Sequence, residues 1–418
     1  MMSDATWGTL AAADLAALAE AHGTPFYLYD ADAICGRIES VRSAFANQAQ
    51  VYYAVKANPN LQLLRAVRGT ADGLDISSGG ELEQALLAGF DASQLSFAGP
   101  GKSTEELAAS IASGVGCISI ESPRELSACI EIAQRTGVRA NVLVRVNPLL
   151  QNRAFGIKMG GRPVQFGVDE EELGGVTEMI RRNASMLDFH GIHVYSGSQC
   201  FDPAGTVDGV IDTLRIAREV ETAVGQPCAV VNLGGGFGVS HTDQDRELDI
   251  DAAAKELVPA LRAFQAESSV PRKVVFELGR YLTADAGLYV CRVLSSKRSR
   301  GKLFYVVDGG LHHHLSAAGT FGAALRSNFQ LRNLTRGDAP SVRCSLAGPS
   351  CNPTDLLGVD VELPEPQLDD LLGVLKSGSY GLTASPILFL GRRTPAELVL
   401  HHGQVTVGRH PRSMIDFN

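Results

Sequence analysis

The run Val51-Tyr52-Tyr53-Ala54-Val55, ending on Lys56, is short, almost wholly apolar and rich in β-branched and aromatic side chains. Those are the marks of a strand buried on both faces. Working outward, seven runs of the same texture follow at residues 74–77, 95–98, 117–120, 142–146, 189–194, 229–233 and 273–277. Stretches of helical period separate them. In residues 80–89, for example, Leu82, Ala85 and Leu86 recur on one face. Eight strand–helix alternations over about 250 residues predict an α/β fold, a parallel (β/α)8 barrel spanning residues 30–281.

Beyond about residue 282 the texture changes. Runs at 303–307, 341–346, 396–400 and 404–407 alternate with turn residues, and few helical stretches intervene. This predicts a β-rich sandwich or barrel domain over 282–418. Residues 1–29 are grouped with it. They hold a helical pattern over 11–21 and a strand-like run over 25–29 whose pattern fits either domain.

A length of 418 residues allows two or three domains with a sizeable core, and 45% hydrophobic with 20% charged residues is an ordinary globular composition. No apolar run is long enough for a membrane span. The opening Met1-Met2-Ser3-Asp4-Ala5-Thr6 has no basic region leading into an apolar one, so a cytoplasmic chain is expected. A net charge of −9 argues against nucleic acid as the main partner. None of the eight cysteines falls in a CxxC pair, which leaves neither a zinc site nor a disulfide framework in view. His312-His313-His314 are consecutive and cannot all face one ion, so no metal is expected there.

Functional groups of such a barrel gather at the C-terminal ends of its strands. Lys56 follows the first strand directly; desolvation there would lower its amine pKa and suit Schiff-base chemistry. The alternative is a lysine snorkelling to the rim. The seventh strand runs into Gly234-Gly235-Gly236-Phe237-Gly238, whose bare N–H groups suit an anion, unless they only form a flexible turn. The eighth ends in Glu277-Leu278-Gly279-Arg280. Glu277 and Arg280 either pair with each other, or Glu277 holds a proton on the nitrogen of a bound aromatic ring. In the β-rich part, Gly348-Pro349-Ser350-Cys351-Asn352-Pro353-Thr354-Asp355 packs a thiol, an amide and a carboxylate into one turn.

Taken in order, Tyr53-Ala54-Val55-Lys56-Ala57-Asn58, Asp75-Ile76-Ser77-Ser78-Gly79-Gly80-Glu81-Leu82, Gly197-Ser198-Gln199, Gly234-Gly235-Gly236, Glu277-Leu278-Gly279-Arg280, the Cys351 segment and Gly378-Ser379-Tyr380-Gly381 resemble the fold-type III pyridoxal-phosphate decarboxylases. That family includes diaminopimelate and ornithine decarboxylases. The resemblance implies a TIM barrel carrying pyridoxal 5′-phosphate, with Lys56 as the Schiff-base lysine and Glu277 on the pyridine nitrogen. Ser198, Gly235, Gly236, Gly279, Arg280 and Tyr380 would surround the phosphate, and Asp75 matches a position near the lysine. Cys351, donated across a head-to-tail homodimer interface, would return a proton after carbon dioxide leaves.

Two departures stand out. Tyr195 occupies the place of a ring-stacking histidine, and neutral Asn352 follows the cysteine where the diaminopimelate and ornithine enzymes carry an acid. The Arg-Pro pair those enzymes carry after Asp-Gly-Gly is missing too. With residues 158–169, these features look closer to a biosynthetic branch acting on siderophore precursors or on glutamyl groups bound to an acyl carrier protein. The expected activity is therefore α-decarboxylation of an amino acid or conjugate, with Asn352 and Asp355 at the substrate. Asp355 or Asp360 is a carboxylate that would compensate for Asn352, and the basic run 297–302 is either a solvated loop or a landing area for an acidic carrier. A meso-diaminopimelate decarboxylase, an amino-acid racemase and a non-catalytic regulatory relative are the alternatives. Racemases of this type use a tyrosine as the opposing acid, and Lys56, Glu277 and Cys351 are all retained.

Overall fold

The computed structural model describes residues 12–241, 247–318 and 328–418; Met1–Thr6, and Ala11 of the helical pattern, lie outside them. The eight runs form eight parallel barrel strands: Gln50–Ala54, Gly73–Ile76, Leu95–Phe97, Cys117–Ile120, Ala140–Asn147, Leu187–Val194, Val230–Asn232 and Lys273–Leu278, here called first to eighth. The eighth closes on the first, with Glu277 opposite Tyr52 and Leu278 opposite Tyr53.

Between strands, helices begin where a side chain takes an orphan N–H of the first turn. Ser78 accepts from Glu81, Ser122 from Glu125 with Pro123 next in line, and Asp202 from Ala204 with Pro203 following. In Gly79–Leu87 the buried face holds Leu82 and Ala85, but Leu86 is 41% exposed. The inward stripe continues through Ala88, and at about 100° per residue this rotates Leu86 off it.

The barrel interior carries an unusual polar load. Asp75, Ser119, Arg145, His193, Asn232 and Glu277 are all buried. Ser119, on the fourth strand, reaches His193 on the sixth, and those strands are not neighbours, so the contact crosses the interior. A two-stranded ribbon is added beside the barrel, Phe155–Lys158 against Gly197–Cys200, with Ser198 opposite Ile157.

The β-rich part forms a nine-stranded sheet among the described residues. The strand Phe26–Asp30 belongs here, not to the barrel. It pairs antiparallel with Gly287–Ser299 and parallel with Ala396–His401. Behind it, Glu397 forms a buried clasp: it accepts from the Tyr29 hydroxyl at 2.8 Å, from Arg409 Nε at 2.5 Å and from Asn60 Nδ2 at 3.4 Å. Asn60 caps the barrel helix Leu61–Val67, so one carboxylate ties barrel to sheet. Glu397→Leu should cost about 1–3 kcal/mol by stranding three donors, and Glu397→Gln should cost less. Calorimetric melting of the two variants against the parent checks this; equal melting temperatures would contradict the clasp.

Candidate active site

The 3-10 turn Val55–Ala57 ends the first strand and turns Lys56 over the barrel mouth. Lys56 Nζ lies 2.7 Å from Asp75 Oδ2. Burial pulls the ammonium pKa down, but the carboxylates of Asp75 and Glu277 outweigh it, and the net shift is upward. This corrects the desolvation argument made from sequence: a lysine's apolar neighbours in the chain say nothing of carboxylates arriving from other strands. Asp75 is pushed up to about 6, chiefly by burial and by Glu277, with Lys56 opposing. Its Oδ1 has no hydrogen-bond partner among the described residues.

Glu277 is 4% exposed. Burial would raise its pKa, yet His193, Lys56 and Arg145 hold it at about 2. Its Oε2 accepts from Asn232 Nδ2 at 2.9 Å, and its Oε1 faces His193 Nε2 at 3.2 Å. Arg280 does not pair with it. The Arg280 guanidinium lies over the Tyr380 ring, 4.6 Å from its centroid, and reaches His241 Nε2 at 3.5 Å. Of the two readings open in the sequence, the mutual ion pair is therefore not the one formed, and Arg280 meets no carboxylate among the described residues.

Facing Arg280 is the glycine turn. Gly234 N–H donates to Asn232 Oδ1 and its carbonyl accepts from Glu277 N, both at 2.8 Å, which fixes the turn to both strands. Gly236 has φ +84°, and a Cβ there would stand 2.0 Å from the Gly197 carbonyl oxygen. A Cβ on Gly235 would stand 2.2 Å from the carbonyl oxygen of Glu277. The turn is glycine by necessity.

One cavity gathers Lys56, Tyr195, Ser198, Gly236, Glu277, Gly279, Arg280 and Tyr380. Tyr380 is drawn in by its own backbone, with φ +50° and its N–H donating to the Ala57 carbonyl at 2.8 Å. Gly235 lies behind the cradle, against the next pocket. A cavity with a cation and a bare glycine cradle at one side, an ionised carboxylate on the eighth strand and a lysine on the first fits a flat pyridine ring bearing a phosphate.

The Cys351 turn is elsewhere. Cys351 is exposed, and neither it nor Asn352 lines that cavity. Asn352 Oδ1 accepts from both the N–H and the hydroxyl of Thr354, at 3.0 and 2.9 Å. Asp355, expected from sequence at the substrate with Asn352, has its carboxylate turned into the protein. It is 2% exposed and accepts from the N–H groups of Leu311 at 2.6 Å and Ser350 at 3.0 Å, tethering the turn. Asp360 is likewise engaged, by Lys302 at 3.2 Å. The three histidines are buried in the sheet domain, where desolvation lowers each pKa; His314 Nε2 meets Ser377 Oγ at 2.9 Å.

Sequence reasoning missed His193 and Asn232 as site residues. The signal was there: each is a polar side chain near the C-terminal end of an otherwise apolar barrel strand.

Residues 31–284 match the family model of the pyridoxal-dependent decarboxylase pyridoxal-binding domain. The chain is 38% identical to an L-glutamyl-[BtrI acyl-carrier protein] decarboxylase of Niallia circulans, over 94% of this chain and 92% of that protein. It is 30% identical to the diaminopimelate decarboxylase of Campylobacter jejuni, over 96% and 97%. The crystal structure of Helicobacter pylori diaminopimelate decarboxylase with L-lysine superposes with a TM-score of 0.85 at 28% identity, covering 96% of this chain and 98% of that one.

Protein incubated with pyridoxal 5′-phosphate and reduced with borohydride should carry a phosphopyridoxyl mass on the peptide containing Lys56. Peptide mapping that finds the label on another lysine, or none, would overturn the assignment of Lys56.

Proposed function

Since the chain belongs to the pyridoxal-dependent decarboxylases, we propose that its substrate is a glutamyl group carried on an acyl carrier protein. Pyridoxal phosphate supplies an electron sink for the pair left when the bond to the α-carboxylate breaks. The α-amine and α-carboxylate of the glutamyl group must both be free, so the tether leaves through the side-chain carboxyl. The product is a carrier-bound 4-aminobutyryl group and carbon dioxide.

In this reading Lys56 binds the cofactor and Asp75 holds the lysine in place. Glu277 keeps the ring nitrogen protonated. Gly236, Ser198, Arg280 and Tyr380 hold the phosphate, with Gly235 and Gly279 allowing the backbone to come close. Tyr195 covers the ring with an aromatic face that brings no positive charge. Cys351 Sγ returns a proton to the α-carbon, and it does so in a neighbouring subunit: within its own chain it is exposed and outside the cavity of Lys56.

The observation that carries the substrate reading is Asn352. Because Thr354 already occupies its carbonyl oxygen, the amide presents only N–H donors outward. Such a group suits a carbonyl oxygen of a tethered side chain and has nothing to offer a distal ammonium. At the tip of the hairpin Gly287–Ser299 with Lys302–Val307, Lys297, Arg298 and Arg300 are exposed and lend a positive surface to an acidic carrier. No helix among the described residues is long and apolar enough to cross a membrane, which accords with a cytoplasmic partner.

Free meso-diaminopimelate and ornithine should be turned over at least about tenfold less efficiently than the carrier-bound glutamyl group, because charged hydrogen bonds to a distal ammonium are worth 1.5–3 kcal/mol. Steady-state kinetics on the three substrates decide it, and comparable turnover of free meso-diaminopimelate would return the chain to lysine biosynthesis. A second outcome concerns the shared site. Lys56→Ala and Cys351→Ala proteins, each inactive alone, should recover up to about a quarter of wild-type activity after subunit exchange, since about half of all two-fold dimers are then mixed and each mixed dimer carries one intact site of two. No recovery after demonstrated exchange would refute sharing.

A further inference from the structure

Glu277 is surrounded from every side of the barrel. Lys56 follows the first strand, Asp75 lies on the second, Arg145 on the fifth, His193 on the sixth with Tyr195 just beyond it, and Asn232 on the seventh. Of these, Arg145 is already committed to Glu121 at 2.8 Å and Lys56 to Asp75 at 2.7 Å. Asn232 satisfies Oε2. His193 is the side chain left facing Oε1.

His193 is completely buried, and in register it sits between Arg145 and Asn232 on the neighbouring strands. Its two nitrogens have different partners. Nδ1 is 3.0 Å from the Ser119 hydroxyl, and Nε2 is 3.2 Å from Glu277 Oε1, at ion-pair distance but not aligned as a hydrogen bond, and has no hydrogen-bond partner among the described residues. A lone pair on Nε2 facing an ionised carboxylate would be repelled. The proton therefore belongs on Nε2, and Nδ1 accepts from Ser119, which can rotate its hydroxyl hydrogen to suit. Glu277 thus selects the tautomer, and Ser119 holds the ring in it by donating to Nδ1, with the Nε2–H on the side of Glu277.

We infer that His193, oriented by Ser119, is a positioning residue that keeps Glu277 ionised and so keeps the cofactor's ring nitrogen protonated. The inference rests on the role proposed above for Glu277. It adds a Ser119–His193–Glu277 chain in which no member but Glu277 touches the cofactor. The physical demand is plain: a carboxylate removed from water is neutralised unless hydrogen bonds and charges replace the water. With His193 gone, the proton shared between Glu277 and the ring moves toward the carboxylate, and the ring becomes a weaker electron sink.

The test uses the full-length holoenzyme loaded with pyridoxal phosphate labelled with nitrogen-15 in the ring, whose nuclear resonance reads protonation directly. Wild type and His193→Gln, which can still donate to Glu277 and accept from Ser119, should both show the protonated-ring shift. His193→Leu should move toward the neutral-ring shift. Its kcat should fall by about tenfold or more, while KM changes by less than about threefold. Ser119→Ala should move the resonance part of the way in the same sense, and it carries the test if His193→Leu does not fold. An unchanged resonance in both His193→Leu and Ser119→Ala, with or without loss of activity, would overturn the inference and leave His193 a packing residue. If wild type itself shows a neutral ring, the underlying role of Glu277 fails, and this inference fails with it.

Discussion

The barrel mouth depends on one charge balance: two buried carboxylates and the basic side chains that face them. Asp75 and Glu277 repel each other across the interior; Lys56 draws on both, and His193 and Arg145 add to it at Glu277. Left to burial alone, both acids would be neutral. The surroundings instead drive their proton affinities apart, to about 6 for Asp75 and about 2 for Glu277. Glu277 is thereby held on the ionised side, while Asp75 lies against Lys56 at 2.7 Å and feels the charge on that lysine. Barrel closure makes the balance possible, because the pairing of the eighth strand with the first brings Glu277 and Lys56 into one cavity.

The side of the cavity that holds Arg280 and the glycine turn obeys a complementary rule. Arg280 is kept away from Glu277 by being laid on the Tyr380 ring, so its charge remains available to an anion. The glycine turn opposite is held by hydrogen bonds to the seventh and eighth strands, which makes the cradle rigid even though it lacks side chains. Flexible residue type and stiff placement coexist because the backbone polar groups, not the side chains, are what the strands fix.

Much of this was legible in the chain itself. The eight strands are continuous apolar runs, and their count and spacing dictate the barrel; Lys56, Gly236, Glu277 and Arg280 then fall at strand ends where chemistry is expected. What was not legible came from partners distant in sequence. The upward shift of Lys56 needs Asp75, 19 residues away, and the tethering of Asp355 needs Leu311, 44 residues away. Leu86 was misplaced because two apolar neighbours cannot fix the centre of a helical stripe without the third, Ala88. The neutrality of Asn352 is plain in the sequence, and only the local turn shows that Thr354 occupies its carbonyl oxygen.

The strand Phe26–Asp30 has a consequence for how the polypeptide is made. It is wholly buried, yet its two partners, Gly287–Ser299 and Ala396–His401, are translated long after it. At roughly 5–20 residues per second, a ribosome takes on the order of ten seconds or more to expose the first of them. Through that interval Phe26, Tyr27, Leu28 and Tyr29 form an apolar segment with no sheet to join, while the barrel strands behind them emerge in pairing order. The nascent chain thus has to shelter this segment, by chaperone or by provisional contact with the growing barrel, and the sheet domain is completed only when the last strands arrive from the other end of the chain.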